Sequence, residues 1–327
     1  MFSRVIAIFL MATTAPSAAI DRAVERASNG EMTAIFNANQ TARQDPNIDG
    51  ALEAAPPARR FETTLRPVKC AAIAGADMLL SRSNLRWIVV GEMHGTRETP
   101  EIFGDLACLA SSSHPVTVAV EQTTVDQAAI DDFIGSSGDA AATSRFLTSR
   151  LWTQPMKDGR SSEAYFHLFQ RLRALRAAGQ ITSVVAFQPL YNPGPAGFKA
   201  GDYENALASS LVSRAGQNAR VLVLVGNMHA MRTAPAWAKS AYLPMAGYLP
   251  AETSISLDAR WNGGSYWACP SDTSCGPQTA ASSGPTPARG IILDGPGRPY
   301  DGALNLGVRV TASPPQPQAA TGRVLKP

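Results

Sequence analysis

The sequence lacks several features that would assign it to a familiar class of protein. It has four cysteines but no Cys-x-x-Cys pair, so a metal cluster built on cysteines is not expected. Its formal net charge is only +3, and it does not concentrate basic residues as a nucleic-acid-binding face requires. After the N-terminus, no apolar run approaches the about 20 residues that cross a bilayer. We therefore expect a globular chain with no nucleic-acid partner and no transmembrane segment.

The N-terminus has the order of a secretory signal. Arg4 precedes an apolar run over residues 5–12, and the small residues Ser17-Ala18-Ala19 follow. A membrane anchor is the alternative, but the run is too short to span a bilayer. We predict a signal peptide over 1–19 and an exported protein, periplasmic or secreted.

Four cysteines in an exported chain favour disulfides over a thiol-based site. Cys269 and Cys275 lie close together in a polar segment, which favours a local bridge. Cys70 and Cys108 would then pair. Three connectivities remain open from the sequence alone.

The chain is organised as an extension, one large domain and a tail. Residues 20–65 mix alanine, polar residues and prolines and are predicted to be an N-terminal extension. From Leu85, short β-branched runs alternate with longer amphipathic stretches, which is typical of βαβ units. This pattern predicts an α/β domain over 66–311, with a mostly parallel or mixed central sheet flanked by helices. A disordered tail is predicted over 312–327.

The clearest strands are expected at 86–90, 116–120, 181–187 and 221–225, with weaker strands at 253–258, 264–268 and 289–293. The principal helices are expected at 99–110, 125–135, 139–150, 162–178 and 202–214. The Ser-, Pro- and Gly-rich segment 270–288 is predicted to be a loop.

Polar residues cluster where these strands end. Gly91-Glu92-Met93-His94 follows the first strand, Glu121 follows the second, and Gly226-Asn227-Met228-His229 follows the fourth. Ligands of open parallel sheets bind at the carboxyl ends of the strands. The sequence therefore predicts one site that contains Glu92, His94, Glu121 and His229.

These side chains permit two kinds of catalysis. His94, His229 and Glu121 can hold a divalent metal such as Mn, Co or Zn with a position left for water. Without a metal, the same side chains and Glu92 can act as base and acid. Both routes lead to hydrolysis. The alternatives are that His94 is an ordinary turn residue and that Glu121 caps the next helix.

Three further residues are candidates for ligand binding. Arg97 and Arg232 each follow a motif histidine by three residues and could pair with a carboxylate or phosphate, although both could equally be surface arginines. Asn227 lies inside the second motif. Gln188 follows the third strand and is interpreted as a hydrogen-bonding loop residue.

The motifs resemble those of the superfamily that contains Tiki/TraB proteins, erythromycin esterases and ChaN-like haem-binding proteins. The resemblance covers about residues 85–310. Gly91-Glu92-Met93-His94 is similar to the ChaN form of the first motif. Gly226-Asn227-Met228-His229-Ala230 is similar to the late Gly-x-x-His-Ala motif of the same family. The continuation Gly95-Thr96-Arg97-Glu98 is more similar to the esterase branch.

Each branch implies a different function. Resemblance to Tiki proteins implies metal-dependent peptide cleavage by His94, His229 and Glu121. Resemblance to the esterases implies that His94 activates water, with the other two residues assisting. Resemblance to ChaN implies haem binding linked to iron uptake, for which Tyr242-Leu243-Pro244-Met245 and Tyr248 could line an apolar pocket or simply pack in the core. The expected partner is thus a small-molecule or peptide substrate, or haem.

Overall fold

The computed structural model describes residues 68–317, apart from short gaps at 113, 155–156, 192–196, 218, 235–237, 239–241, 272–273, 284–287 and 295–297. The predicted signal peptide, the whole predicted N-terminal extension over 20–65 and residues 318–327 lie outside the described residues.

The domain is built on a seven-stranded sheet. Its strands are β1 Trp87–Glu92, β2 Val116–Thr123, β3 Ser183–Gln188, β4 Arg220–Gly226, β5 Ser254–Arg260, β8 Gly290–Leu293 and β9 Gly302–Asn305. They lie in the order β3-β2-β4-β1-β5-β9-β8. All neighbouring strands are parallel except β8 and β9, which are antiparallel. This confirms the predicted α/β fold.

The central strands are apolar because both faces of the sheet are covered. In β1, Ile88 and Val90 face one apolar cluster, whereas Trp87 and Val89 face the other. Alternate side chains of a strand point to opposite faces, so a strand buried on both sides becomes a continuous apolar run. Strand β4 is fully buried for the same reason.

Helices cover the two faces of this sheet. The longest are α2 over Glu98–Ala110, α6 over Glu163–Ala177 and α7 over Ala200–Arg214. Helix α6 begins where the Ser162 hydroxyl accepts a hydrogen bond from the Tyr165 N–H. The shorter helices are α1 Ala76–Leu80, α3 Gln127–Ile134, α4 Ala140–Leu147, α5 Arg150–Thr153 and α8 Asn227–Ala230.

A separate antiparallel hairpin consists of β6 over Asn262–Ser271 and β7 over Ser274–Ser282. The predicted loop over 270–288 was therefore wrong where β7 lies. This strand is largely exposed, so it does not show the apolar alternation that reveals a half-buried strand. Disulfides join Cys269 to Cys275 and Cys70 to Cys108, which is the pairing that the sequence favoured among the three it left open.

The segment after β9 packs against the domain as far as Gln316, although the disordered tail was predicted to begin at 312. The Ser313 N–H donates to the Gly95 carbonyl at 2.8 Å, and the Gln316 N–H donates to the Ser161 carbonyl at 2.9 Å. Ser313 is buried. Of the helices described, none has the length and apolar character needed to cross a membrane.

Candidate active site

Both motif histidines lie against Glu121 at the carboxyl edge of the sheet. Strands β2, β4 and β1 are neighbours, and they bring Glu121, His229 and His94 together. His94 Nε2 lies 3.5 Å from Glu121 Oε2, and His229 Nε2 lies 3.9 Å from Glu121 Oε1. Glu121 is fully buried. It lies within β2 rather than after it, because the strand continues to Thr123.

The Nδ1 atom of each histidine contacts a second carboxylate, on the side of the ring away from Glu121. Glu92 Oε1 lies 2.8 Å from His94 Nδ1, and Glu204 Oε1 lies 2.8 Å from His229 Nδ1. A carboxylate at Nδ1 favours the tautomer that carries its proton there, which leaves Nε2 as the basic nitrogen. Both rings therefore present Nε2 towards Glu121.

Buried groups fix these two carboxylates in turn. The Tyr165 hydroxyl donates to Glu92 Oε1, the same oxygen that His94 contacts. Burial and the neighbouring Glu92 carboxylate raise the pKa of Tyr165 well above its ordinary value, so Tyr165 stays a donor. The Met245 N–H donates to Glu204 at 2.8 Å.

Arg160 neutralises the central carboxylate. Its guanidinium donates to Glu121 Oε1 at 2.8 Å and to Gln188 Oε1 at 3.1 Å, and Asp158 also pairs with it. The Gly226 N–H donates to Glu121 Oε2 at 2.7 Å. Burial acts to raise the pKa of Glu121, but Arg160, together with both histidines once they are protonated, outweighs it and holds that pKa well below its ordinary value.

Sequence reasoning missed three of these groups. Arg160 precedes α6 in a polar stretch, which gives no signal, and Tyr165 lies on the apolar face of its helix like an ordinary core residue. Glu204 could have been found, because it shares a buried face of α7 with Leu207 and Leu211. A carboxylate on an apolar helix face needs a partner inside the protein.

The predicted ligand-binding residues lie in different surroundings. Arg97 has an exposed side chain where α2 begins. Arg232 uses its guanidinium inside the protein, on Asp301 and on the Ala246 and Ser254 carbonyls. Asn227 is partly exposed at the start of α8, and its carbonyl accepts from Tyr300 at 2.8 Å.

The stretch considered for a haem pocket is divided between core and surface. Met245 is fully buried in the core, whereas Leu243 and Tyr248 are more than one-third exposed. Met245 is therefore an ordinary core residue.

Gly91 in the first motif and Gly95 directly after it have separate structural roles. A Cβ on Gly91 would lie 2.8 Å from the Ala230 Cβ and 3.0 Å from the Asn227 Cα, so this glycine lets the two motifs touch. Gly95 has φ +78°, a conformation that favours glycine, and the Trp267 carbonyl lies against it.

The arrangement does not fit a metal centre. Both oxygens of Glu121 already accept hydrogen bonds, and a dication beside Oε1 would face the Arg160 guanidinium. Within the described ranges, no three His, Cys, Asp or Glu side chains are grouped to hold a metal ion.

The fold and the site together define an α/β protein with two histidine–carboxylate pairs at the carboxyl edge of a mainly parallel sheet. No family model matches the chain, and no curated protein does.

Several solved structures match over most of their length. The erythromycin esterase EreC is 10% identical and has a TM-score of 0.45, and the match covers 71% of this chain and 77% of the esterase. The type III effector HopBA1 is 13% identical with a TM-score of 0.39, covering 71% and 93% of the two chains. A succinoglycan biosynthesis protein is 9% identical with a TM-score of 0.46, covering 73% and 91%. These similarities are too distant to transfer an activity to this chain.

Proposed function

We propose that this protein is an exported hydrolase that cleaves a carboxylic ester or amide by general base catalysis at His94. The observation that carries the proposal is the contact between Glu92 and His94 Nδ1, which directs His94 Nε2 into the site. The proposed export is supported by the N-terminal signal pattern and by two disulfides, which form in oxidising compartments.

In the proposed reaction, His94 Nε2 takes a proton from water while the water oxygen attacks the substrate carbonyl carbon. The imidazolium that forms lies between the carboxylates of Glu92 and Glu121, which stabilise its charge. Collapse of the tetrahedral intermediate breaks the bond to the leaving oxygen or nitrogen. The His94 imidazolium gives its proton to this leaving group, and His229, held by Glu204 in the same orientation, assists by accepting a hydrogen bond from the attacking water at its Nε2.

The anchoring of Glu121 supports this division of roles. Because Arg160 opposes the effect of burial and helps to hold the pKa of Glu121 low, Glu121 stays ionised and is too weak a base to replace His94. Glu92 Oε2 is buried and has no hydrogen-bond partner among the described residues. Water or a polar group of a substrate normally fills such a position.

The test is turnover of a panel of p-nitrophenyl esters, lactones and fluorogenic peptides. We expect His94→Ala and His229→Ala each to lower kcat by about 10²- to 10⁴-fold on any substrate that the protein cleaves. The control is His167→Ala, because His167 is exposed on α6 and should leave kcat unchanged. Full turnover in both site variants would refute the proposal.

A further inference from the structure

The hairpin of β6 and β7 contacts two loops at the site, the one that presents the proposed base His94 and the one that carries Arg160, the partner of Glu121. The Trp267 N–H donates to the Gly95 carbonyl at 2.9 Å, directly after His94. Cys269 Sγ lies 3.4 Å from the Lys157 carbonyl, three residues before Arg160. One strand of the hairpin therefore touches the His94 loop and the Arg160 loop.

The hairpin has little room to move where it contacts Gly95. A Cβ on Gly95 would lie 2.0 Å from the Trp267 carbonyl oxygen, and a Cβ on Gly159 would lie 2.2 Å from the Gly95 nitrogen. The three backbone segments are thus packed directly on one another. A shift of the hairpin must change the position of the loop that presents His94.

The two disulfides differ in what they can stabilise. The Cys269–Cys275 bridge joins residues only six positions apart, whereas Cys70–Cys108 spans 38 positions. The entropy that a bridge removes from the unfolded chain grows with the length of the loop it closes. The longer bridge therefore contributes more to global stability, and the shorter one acts mainly on the local geometry of the hairpin.

We propose that the Cys269–Cys275 bridge is a reducible positioning element of the active site, which fixes β6 against the His94 and Arg160 loops. Cys275 is exposed, so a dithiol can reach this bridge, whereas Cys108 is buried in the core. Reduction transfers two electrons and two protons from the dithiol to the bridge. It yields the two thiols of Cys269 and Cys275 and the oxidised, disulfide form of the reductant. Only the kcat measurement in the test of this proposal rests on the proposed function.

The experiment compares two matched double variants of the full chain, Cys269→Ser with Cys275→Ser and Cys70→Ser with Cys108→Ser. We expect the first to lower kcat at least tenfold, to leave the circular dichroism spectrum unchanged and to speed hydrogen exchange at the Trp267 amide at least tenfold. The second should lower Tm by more than the first does, while kcat below Tm and exchange at Trp267 stay near wild type.

Exchange at Trp267 separates this proposal from the proposed function. If no ester or peptide is cleaved by the wild-type protein, the proposed function fails and the exchange data still decide whether the bridge holds β6. Unchanged exchange at Trp267 in the first variant would overturn the positioning proposal.

If that variant fails to fold, graded reduction of native protein by dithiothreitol replaces it, with alkylation and mass spectrometry to identify the opened bridge. Opening of Cys269–Cys275 alone should then coincide with faster exchange at Trp267, and slow exchange after opening would overturn the proposal.

Discussion

At the scale of single residues, the site is a chain of hydrogen bonds that runs from a buried tyrosine to the proposed base. Tyr165 donates to Glu92, and Glu92 contacts His94 Nδ1. In this chain Glu92 is a positioning residue, because it acts on the reaction through the orientation and tautomer of His94.

A double-mutant cycle tests this relationship. Glu92→Gln should lower kcat by about 10²-fold, because the amide no longer favours the tautomer with Nε2 unprotonated. If Glu92 acts through His94, adding Glu92→Gln to His94→Ala should change kcat by less than about threefold. The measurement is kcat on the best substrate of the panel. Multiplicative losses would instead show that Glu92 acts independently.

Glu121 makes the stability of the protein depend on pH. Its pKa in the folded protein is held below the ordinary 4.5, so the folded state binds fewer protons than the unfolded state between these two values. The resulting stabilisation is fully present above about pH 4.5 and is lost as the pH falls further towards the folded pKa.

Glu121→Gln should therefore lower the free energy of unfolding at pH 7 by about 3 kcal/mol, because Arg160 loses a buried partner. The difference from wild type should shrink as the pH is lowered from 5 to 3. Urea denaturation of both proteins at several pH values measures it. If the difference in unfolding free energy did not change with pH, the lowered pKa of Glu121 would not be its cause.

The composition of the site could be predicted from the sequence only in part. Glu92, His94, Glu121 and His229 were predicted because they follow or end apolar strands, and parallel strands share one carboxyl edge. Arg160 comes from a polar loop, and its arrival beside Glu121 depends on how that loop folds back onto the sheet.

At the scale of secondary-structure elements, the two motifs are pressed together where β1 meets α8. Gly91 makes this contact possible, since a Cβ there would lie 2.8 Å from the Ala230 Cβ. Gly91 lies inside β1 and faces the second motif.

Gly91→Ala should displace α8 and with it His229. We expect a loss of about 1–3 kcal/mol in the free energy of unfolding, as for other overpacked cores, and a lower kcat. The control is Gly201→Ala in α7, where a Cβ would make an ordinary contact of 3.7 Å with Tyr242. Thermal denaturation and turnover of both variants provide the test. If both variants had the same stability and kcat, the residues around Gly91 would accommodate a Cβ without cost.

Strands and helices with an apolar face were predictable, but the exposed elements were not. Strand β4 and helix α6 bury apolar residues at the spacing of their structures, so sequence periodicity marks them. Strand β7 is exposed and polar, and the ordered segment that contains Ser313 is held mainly by backbone hydrogen bonds. Neither feature leaves a periodic pattern in the sequence.

At the scale of the whole molecule, an α/β sheet presents two histidine–carboxylate pairs around one carboxylate that an arginine neutralises. The sequence alone allowed a metal centre or a metal-free acid–base site. The hydrogen bonds to Glu121 from Arg160 and from the Gly226 N–H favour the metal-free alternative.

The measurement that tests this account most directly is the turnover of the best ester or peptide substrate by metal-stripped protein. The measurement is made before and after addition of Mn, Co or Zn. We expect kcat/KM of the stripped protein to stay within about twofold of the untreated value and His94→Ala to lower turnover by about 10²- to 10⁴-fold in both conditions. Loss of turnover on stripping with recovery on adding one metal, or no turnover of any substrate in the panel, would contradict the account.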